Sequence, residues 1–561
     1  MRLEEERGEA PNPSPSGPPP APKLSLLHEI AFVAIICSAQ LMTQAGLGQI
    51  IATQYIVGKD FGITNPGLLS WFSASYSLTV GTFILIAGRL GDMYGHRLMF
   101  CSGFIWFALW SLIAGLSVYS GHVLFNFCRA MQGIGPAFIL PNGLALLGRF
   151  YPPGPRKGMV FGMFGATAPN GFIVGAVFGS LFSQLAWWPW TYYSFAIACV
   201  GLSIGGYLII PTMESSAADN VHRRAGFDWA GSITGVTGLV LVNFAWNQGP
   251  AYGWDKPYVY ILLIIGLIIL GLFVFIELRA AQPLVPLHSL SGETGYVLAC
   301  VAAGWSSFGI WIYYMFRFML VTRHLTPLNA AAQMTPAGIS GLLASMTTGF
   351  LIHKVPVARL MVVAMIAFCV GLILISTAPV HQTYWAQWFV AILVTPWGMD
   401  ISFPASTIML SNFVSHEHQG IAASLVATVV NYSISIGLGI AGTVEVQVAG
   451  GDPLKGFRCA TWTGIGLAGM GIVISIIFAV RMSMKSSHEA KMQKMHAEHA
   501  ARADAFSAHS EMTHSRTGSV QEKDNFDDVE LQQHPATRQP RMPPATYIRS
   551  GGSAGSHPSR I

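Results

Sequence analysis

Charged side chains are scarce in this sequence. Asp, Glu, Lys and Arg make up 10% of its 561 residues, whereas a soluble domain carries about 25%. Hydrophobic residues make up 52%. Because so few charges cannot cover the surface of a water-soluble chain of this length, the composition indicates a membrane protein. The formal net charge of +5 is modest and gives no reason to expect nucleic acid as a partner.

The sequence also lacks the motifs of several enzyme classes. No G-x-x-x-x-G-K-[ST] loop occurs, so ATP hydrolysis of that type is excluded as the energy source, and no H-E-x-x-H metal motif occurs. The seven cysteines are scattered, mostly through apolar runs, and an odd number in such places is not a disulfide framework. We therefore expect no catalytic residue, no cofactor and no metal site, and predict that the protein is not an enzyme.

Long apolar runs, in contrast, are abundant. A bilayer core needs about 20 apolar residues in a helix. Backbone polar groups in lipid must find partners within their own segment, so such runs are predicted as helices. Fourteen of them, named spans 1 to 14, lie at 29–50, 68–88, 98–118, 122–147, 158–182, 190–211, 229–247, 258–277, 295–320, 331–352, 360–378, 384–412, 420–448 and 462–481.

The distribution of Lys and Arg predicts the orientation of these spans. Both residues are more frequent in the loops on the side of the N-terminus, and this bias marks the cytoplasmic side. Both termini are therefore predicted to be cytoplasmic. The Pro-rich segment 1–28 is predicted to be a disordered tail. Residues 483–561 are predicted to be a second, mostly disordered tail, whose first part could extend span 14 as a helix.

Short matches at a constant offset indicate an internal repeat. "GRLGD" begins at Gly88 and "GFLIH" at Gly349, while "ATAPN" ends at Asn170 and "ATVVN" ends at Asn431, an offset of 261 residues in both cases. Transporter chains often contain duplicated halves. We therefore predict a six-helix half at 29–211, an inserted helix pair with linkers at 212–290, and a second six-helix half at 291–482.

Three motifs occur in order along the first half. "GRLGDMYGHR" joins spans 2 and 3, where small residues allow a tight turn and Asp92 can pair with Arg97 or cap span 3. "RAMQGIGPAFILPN" places Arg129 inside span 4, a costly position that indicates a function. "GATAPNGFIVGAVFG" places Pro169 before glycines spaced four residues apart on one face of span 5.

Together these motifs resemble the signatures of the major facilitator superfamily, over about 29–481. The fourteen spans resemble its drug:proton antiporter branch, and "PWGMDISFP" and "NYSISIGLGIAGTVE" are similar to its fungal aminotriazole- and boron-resistance group. Some proteins of that kind are thought to carry ammonium at low affinity. The resemblance implies an all-α major facilitator fold of two six-helix halves plus two inserted helices. It also implies gating or structural roles for Gly88, Asp92, Gly95, Arg97, Arg129, Gln132, Gly133, Pro169, Gly171 and Gly175.

Three departures from the family pattern are visible. Met93 and His96 stand where basic residues are usual in the first motif, and His353 replaces the acid in its second copy. Span 5 has Ala168 before the proline and lacks the paired glycines that follow it in the antiporter signature.

Asp400 is the most isolated charge in the chain. It lies in span 12 between Pro396 and Pro404, and no other Asp, Glu, Lys or Arg occurs from Leu360 to His416. One interpretation is structural, with the carboxyl capping amides freed by the prolines or bonding Thr395 or Ser402. The other is a proton or cation site that lines a central cavity, because a carboxylate in a low dielectric takes up a proton more readily than in water. Glu445 in span 13 is a second candidate for proton coupling.

Several polar or aromatic residues are candidates for contact with a substrate. Each also has a structural alternative, because hydrogen bonding between helices or packing explains such residues equally well. The candidates are Gln40, Gln44, Asn142, Asn170, Asn431 and Trp305.

These features predict a secondary active transporter that works by alternating access. We expect proton-coupled efflux of small toxic compounds or metabolites by a monomer in the lipid bilayer, at the plasma membrane or the vacuolar membrane. Two alternatives stay open: a low-affinity importer or facilitator of a small solute such as ammonium, and a membrane sensor that does not transport.

Overall fold

A computed structural model describes residues 24–151, 154–212, 227–280, 283–285, 292–352, 354–413 and 419–518. The described residues are nearly all helical and contain no strand. The helices are α1 (Leu26–Asp60), α2 (Pro66–Tyr94), α3 (His96–Leu116), α4 (His122–Phe150), α5 (Pro155–Leu185), α6 (Pro189–Ile209), α7 (Trp229–Tyr252), α8 (Pro257–Glu277), α9 (Gly292–Arg317), α10 (Pro327–Met334), α11 (Pro336–Leu351), α12 (Val357–Thr377), α13 (Gln387–Phe413), α14 (Gln419–Val448) and α15 (Pro453–Gly518).

The starts of these helices follow from local sequence. Proline has no N–H to leave unpaired in a first turn, and its fixed φ suits a helix start. Seven helices accordingly begin at proline: α2, α5, α6, α8, α10, α11 and α15. Where the preceding residue is Ser25, Asn65, Asp228 or Thr326, its side chain also accepts a backbone N–H of the first turn.

Thirteen described helices are long and apolar enough to cross a membrane. The remaining predicted span, 331–352, is divided into α10 and α11, which meet at Thr335. At this division Pro336 has no N–H with which to bond the carbonyl of Ala332, and the N–H of Thr335 bonds that carbonyl instead, at 3.1 Å. The prediction of an all-α, multi-pass membrane protein is confirmed.

Helices α1 to α6 pack mainly on one another, as α1 on α5, α4 on α2 and α3, and α3 on α6. Helices α9 to α14 do the same, as α9 on α14 and α13 on α11 and α12. Among the described helices, the most extensive contacts between these groups are those of α2 with α14 and of α5 with α11, and α5 also packs on α10. Helix α7 lies against both α2 and α14, and α8 packs on α7. The division of the chain into two halves stays a prediction. Such a division would require most contacts to lie within each group of helices, as they do here.

Small residues permit the closest helix contacts. A Cβ on Gly175 would lie 2.1 Å from the carbonyl oxygen of Ala45, and one on Gly171 would lie 2.3 Å from that of Leu41, so α5 touches the backbone of α1. A Cβ on Gly437 of α14 would likewise lie 2.4 Å from the carbonyl oxygen of Ser306 in α9. The glycines that share one face of span 5 therefore allow α5 to pack closely on α1.

Several predictions concern residues outside the described part of the chain. These include most of the tail 1–28, the linker 213–226, His353 and residues 519–561. The chain divides into a unit that ends at Lys485 and a second unit from Ser486 onward. The described part of the second unit is helical through Gly518, which is the helical extension considered for span 14.

Candidate proton site at Asp400

Two prolines change the backbone bonding around Asp400 without ending the helix. Pro396 and Pro404 both lie inside α13, which runs unbroken from Gln387 to Phe413. A proline cannot donate to the carbonyl four residues before it, so the carbonyls of Ile392 and Asp400 lack their usual helical donors. The backbone at Asp400 is therefore more polar than that of an ordinary buried turn.

The Asp400 side chain lies where three helices meet. It is 8% exposed. A Cβ placed on Gly341 of α11 would lie 3.0 Å from Asp400 Oδ2 and 2.5 Å from Pro169 Cγ of α5. Ser345, one turn further along α11, is within reach of the carboxyl. The acid predicted in span 12 thus lies beside the proline predicted in span 5, at the contact between the two groups of helices.

No cation neutralises this carboxyl among the described residues. The ion pairs of that part of the chain do not include Asp400, and its Oδ2 is buried without a hydrogen-bond partner. The two hydroxyls of the structural interpretation are bonded elsewhere. Thr395 donates to the carbonyl of Ala391 at 2.9 Å, and Ser402 accepts Trp305 Nε1 at 3.1 Å. A buried carboxylate with one oxygen unpaired and no cation beside it is costly, and a bound proton or cation removes that cost.

Two predicted substrate contacts, Asn170 of α5 and Asn431 of α14, occupy matching places. Asn170 donates to the carbonyl of Ala166 at 3.0 Å, and Asn431 donates to that of Ala427 at 2.9 Å. Both side chains are partly buried. The matched geometry agrees with the repeat read from the sequence, and Asn170 Oδ1 also lies close to Gly338 of α11, on the Asp400 side.

The other predicted substrate contacts separate into two kinds. Gln40 and Gln44 of α1 are half-buried, and neither has a hydrogen bond to a described residue, so both have unused polar groups. Trp305 is packed on Phe308 and Phe368 and bonds α13 two residues beyond Asp400. Asn142 is fully buried and bonds His96 Nδ1 at 2.8 Å, so it supports the loop between α2 and α3.

The first motif makes contacts that differ from the predicted ones. Gly95 ends α2 and begins α3 with φ of 100°, a conformation that favours glycine. Asp92 lies 3.4 Å from His96 Nε2 and 3.8 Å from Arg149 Nη2. The predicted pairing of Asp92 with Arg97 is not formed, because the Arg97 guanidinium bonds the carbonyl of Tyr207 and stacks on that ring.

Arg129 in α4 is fully buried and holds three helices together. Its guanidinium donates to the carbonyl of Phe72 in α2 at 3.0 Å, to that of Gly46 in α1 at 2.7 Å, and to Gln132 Oε1 at 2.6 Å. It also lies 4.6 Å from the centre of the Tyr76 ring. Every one of these partners is neutral, so the planar fork is satisfied by dipoles and a π face.

The glycines and glutamine of the second motif complete this arrangement. Gln132 donates to Ser111 Oγ of α3 at 2.7 Å. A Cβ on Gly133 would lie 2.3 Å from the carbonyl oxygen of Tyr76, so α4 touches the α2 backbone at this point. Gly88, nearer the loop, has more room: a Cβ there would lie 3.5 Å from Ser424 of α14.

Sequence reasoning missed the partner of Glu445. Arg317, at the end of α9, forms an ion pair with Glu445, and Tyr314 donates to the same carboxylate at 2.8 Å. Both members of the pair are buried, and Tyr55 of α1 contributes a nearby buried hydroxyl. No local pattern joins positions that are 128 residues apart.

A buried amide cluster was also missed. Asn243 and Asn247 of α7 are buried one turn apart, and Ser435 of α14 donates to Asn243 Oδ1 at 2.7 Å. Ser435 also contacts the carbonyl of Ala74 in α2 at 3.3 Å. The first inserted helix is therefore bonded between the two groups of helices, and the i, i+4 spacing of the two asparagines was its only sequence signal.

The helical architecture and the buried motifs of α4 and α5 agree with the comparison to known families. The family model of the Major Facilitator Superfamily matches residues 32–323 and 296–516. This chain belongs to the major facilitator superfamily.

Three named relatives with extensive similarity to this chain are fungal proteins. The chain is 60% identical over 466 residues to the low affinity ammonium transporter of Saccharomyces cerevisiae, covering 82% of this chain and 90% of that protein. It is 48% identical over 466 residues to the efflux pump terJ of Aspergillus terreus, with the same coverage of 82% and 90%. It is 40% identical over 466 residues to the aminotriazole resistance protein of Saccharomyces cerevisiae, covering 82% and 85%.

These similarities confirm the resemblance read from the motifs. The fold and the relatives indicate a major facilitator transporter rather than an enzyme. A small-molecule substrate and a lipid environment follow from membership of the superfamily and from the apolar helices.

Proposed function

We propose that this transporter exports small toxic compounds or metabolites in exchange for protons, with Asp400 as the residue that binds and releases the coupling proton. One observation carries the proposal: Asp400 Oδ2 is buried, has no partner among the described residues, and faces Pro169 and Gly341 across the junction of α5, α11 and α13. A carboxyl with no cation beside it can be neutralised by a proton, and exchange of that proton couples two gradients.

Alternating access supplies the movement. We propose that 29–211 and 291–482 are the two halves and that they rock about a binding site between them. The α2–α14 and α5–α11 contacts would then be the surfaces that rearrange. Because Asp400 lies at the second of these surfaces, its exposure to one side or the other would change with the movement.

The proton gradient is large enough for this task. A membrane potential of 100 mV supplies about 2.3 kcal/mol per charge. One pH unit adds about 1.4 kcal/mol. One proton could then sustain roughly a 500-fold gradient of a neutral solute. That ratio suffices for resistance to a toxic compound. We further propose a monomer with both termini cytoplasmic, in the plasma membrane or the vacuolar membrane.

Ammonium transport is the second candidate function. It is favoured by the 60% identity to a protein named as a low affinity ammonium transporter. A carboxylate that accepts a proton can also accept a small cation, so Asp400 would serve either activity. The two candidates differ in direction, and direction can be measured.

The first experiment measures accumulation. Cells that overexpress the chain and cells that lack it are loaded with a panel of toxic compounds and, separately, with methylammonium as a labelled ammonium analogue. Export predicts lower accumulation of at least one toxic compound on overexpression, abolished by collapse of the proton gradient. Methylammonium accumulation that rises with expression, with no effect on any toxic compound, would reject export and favour ammonium import.

The second experiment replaces Asp400 by asparagine, which keeps the size and hydrogen bonding of the side chain but cannot titrate. We expect Asp400→Asn to exchange substrate down its gradient and to lose uphill export and the pH dependence of transport. Asp255→Asn is the control, because that carboxylate is 76% exposed at a loop. An Asp400→Asn protein that still exports uphill with normal pH dependence would end the proposal for this residue.

A further inference from the structure

Two carboxyl groups meet at one end of the α7–α8 pair, in a place that the transport proposal does not use. Asp228 precedes α7, and its Oδ1 accepts the backbone N–H of Gly231 at 2.8 Å. Glu277 is the last residue of α8 and is only 1% exposed; its Oε2 accepts the backbone N–H of Val285 at 3.1 Å. Each carboxyl therefore has one oxygen fixed by the backbone.

The other oxygen of each carboxyl lies against Gly231. Among the described residues, neither of these two oxygens, Asp228 Oδ2 and Glu277 Oε1, has a hydrogen-bond partner, and both are buried. Both lie against Gly231, where an added Cβ would be 2.4 Å from Asp228 Oδ2 and 2.7 Å from Glu277 Oε1. The two oxygens are therefore no more than about 5 Å apart, since both lie so close to one point. The missing Cβ of Gly231 leaves the room that they occupy.

Two ionised carboxylates this close would repel each other in a buried place, so the pair requires a positive ligand or a proton. The surroundings offer little else. The guanidinium of Arg279 lies over the ring of Phe275, 4.2 Å from its centre. Among the described residues, Asp228 is the charged group that acts on Glu277. The repulsion between the two carboxylates is not offset by a cation in that part of the chain.

A metal ion fits this pair poorly. Calcium takes six to eight oxygen ligands, and magnesium requires six in near-ideal geometry. No third His, Cys, Asp or Glu joins the two acids among the described residues, and the buried hydroxyl of Ser232 is the other free oxygen nearby in sequence. A proton held between two carboxyl groups needs only one oxygen from each, and Asp228 Oδ2 and Glu277 Oε1 provide them.

We propose that Glu277 binds one proton beside the Asp228 carboxylate and so forms a second protonation site, which controls the strength of the backbone bond that holds Val285 at the end of α8. With the proton bound, the O–H of Glu277 can donate to Asp228 Oδ2, and the pair carries a single negative charge. Loss of the proton to water leaves two charges that repel. The ionised Glu277 carboxylate then accepts the Val285 N–H more strongly than the neutral carboxyl does. This site is independent of the proposed coupling role of Asp400.

The glutamine variant provides a sharp test. Glu277→Gln replaces the proton by an amide that always carries N–H donors, so it should mimic the protonated pair at every pH. Hydrogen exchange of the Val285 amide is measured in the full-length protein in detergent from about pH 5 to about pH 9, corrected for the intrinsic pH dependence of exchange. We expect protection of the Val285 amide to rise with pH in the wild type as Glu277 ionises, and to stay at the low-pH level in Glu277→Gln.

A spectroscopic measurement identifies the proton directly. Infrared spectra are recorded in the Asp400→Asn background, which removes that other buried carboxyl. We expect a band of a protonated carboxyl at neutral pH that disappears on adding Glu277→Gln. It should be unchanged by the control Glu489→Gln, an exposed residue of α15. If Glu277→Gln does not fold, Asp228→Asn offers an equivalent amide from the other side.

Two results would overturn the proposal. In the first, Glu277→Gln removes no protonated-carboxyl band from the infrared spectrum, and the protection of the Val285 amide does not depend on pH. The other is protection of Val285 by added Ca²⁺ or Mg²⁺ in the wild type but not in Glu277→Gln, with loss on chelation, which would make the pair a cation site.

Discussion

Replacing Arg129 by lysine tests whether this buried position needs a planar fork or only a positive charge. The guanidinium reaches acceptors in three directions: the carbonyls of Phe72 and Gly46, and the side chain of Gln132. A lysine ammonium is a single point on a flexible stem, so it can replace about one of the three contacts. It also loses the stacking on Tyr76 that the flat guanidinium makes.

The cost can be estimated from these contacts. A hydrogen bond to a charged group contributes about 1.5–3 kcal/mol. Two lost bonds therefore cost about 3–6 kcal/mol, and the lower end applies because the two carbonyls can keep their helical donors. A loss of about 3 kcal/mol is a large part of the 5–15 kcal/mol that stabilises an ordinary domain. The positive charge is retained, so insertion of α4 into the membrane should be unaffected.

The assay compares three quantities in wild type and variant: membrane abundance, melting temperature in detergent, and transport. We expect normal abundance, a clearly lower melting temperature and impaired transport for Arg129→Lys. Arg156→Lys is the control, because its side chain is 69% exposed and its ion pair with Glu29 lies at the surface, where such pairs contribute about 0–1 kcal/mol. Wild-type stability and transport in Arg129→Lys would show that the fork is not required.

Two further substitutions test the junctions between helices. Gly341→Ala places a methyl group against Pro169 and the Asp400 carboxyl, so we expect the free energy of unfolding to fall by about 1–3 kcal/mol and transport to slow. The control is Gly349→Ala, whose added Cβ has no atom within 4 Å and should have neither effect. Equal melting temperatures and transport rates in the two variants would contradict this. Glu445→Gln leaves the charge of Arg317 buried without a counter-charge, and we expect a lower melting temperature and a loss of stability of about 3–5 kcal/mol. Combining Arg317→Met with Glu445→Leu removes both charges and should restore that stability. A double variant no more stable than Glu445→Gln would refute this prediction.

The fold was predictable because its causes are local. Apolar length locates a span, and a proline or a capping residue locates its start, as at Pro66 with Asn65 before it. The division of span 10 was missed, although Pro336 at the division is also a local signal. The prediction relied on apolar length, whereas in the structure the helix that begins at Pro336 is separate from the one that ends at Met334.

The candidate site was predictable only in part, because helical position indicates burial but does not identify the partner. Asp400 and Pro169 were chosen separately, for isolation and for motif, and only the fold brings them together. Asn142 was assigned to the cavity as a polar residue in an apolar helix, and the structure places it against His96. The ion pair of Arg317 with Glu445 was not predicted, because Arg317 lies at the end of an apolar run and Glu445 is 128 residues further along the chain.

The partners of the two buried acids explain why the coupling proposal rests on one of them. Glu445 is bonded to the guanidinium of Arg317 and to a tyrosine hydroxyl, so its charge is balanced within the protein. Asp400 faces a glycine, a proline and a serine, none of which can balance a charge. The hydrogen bonds of Arg129 go to neutral groups of α1, α2 and α4, so Arg129 provides no counter-charge for Asp400. One acid is thus paired with a cation inside the protein and the other is not, and the second arrangement is the one that the proposed coupling site requires.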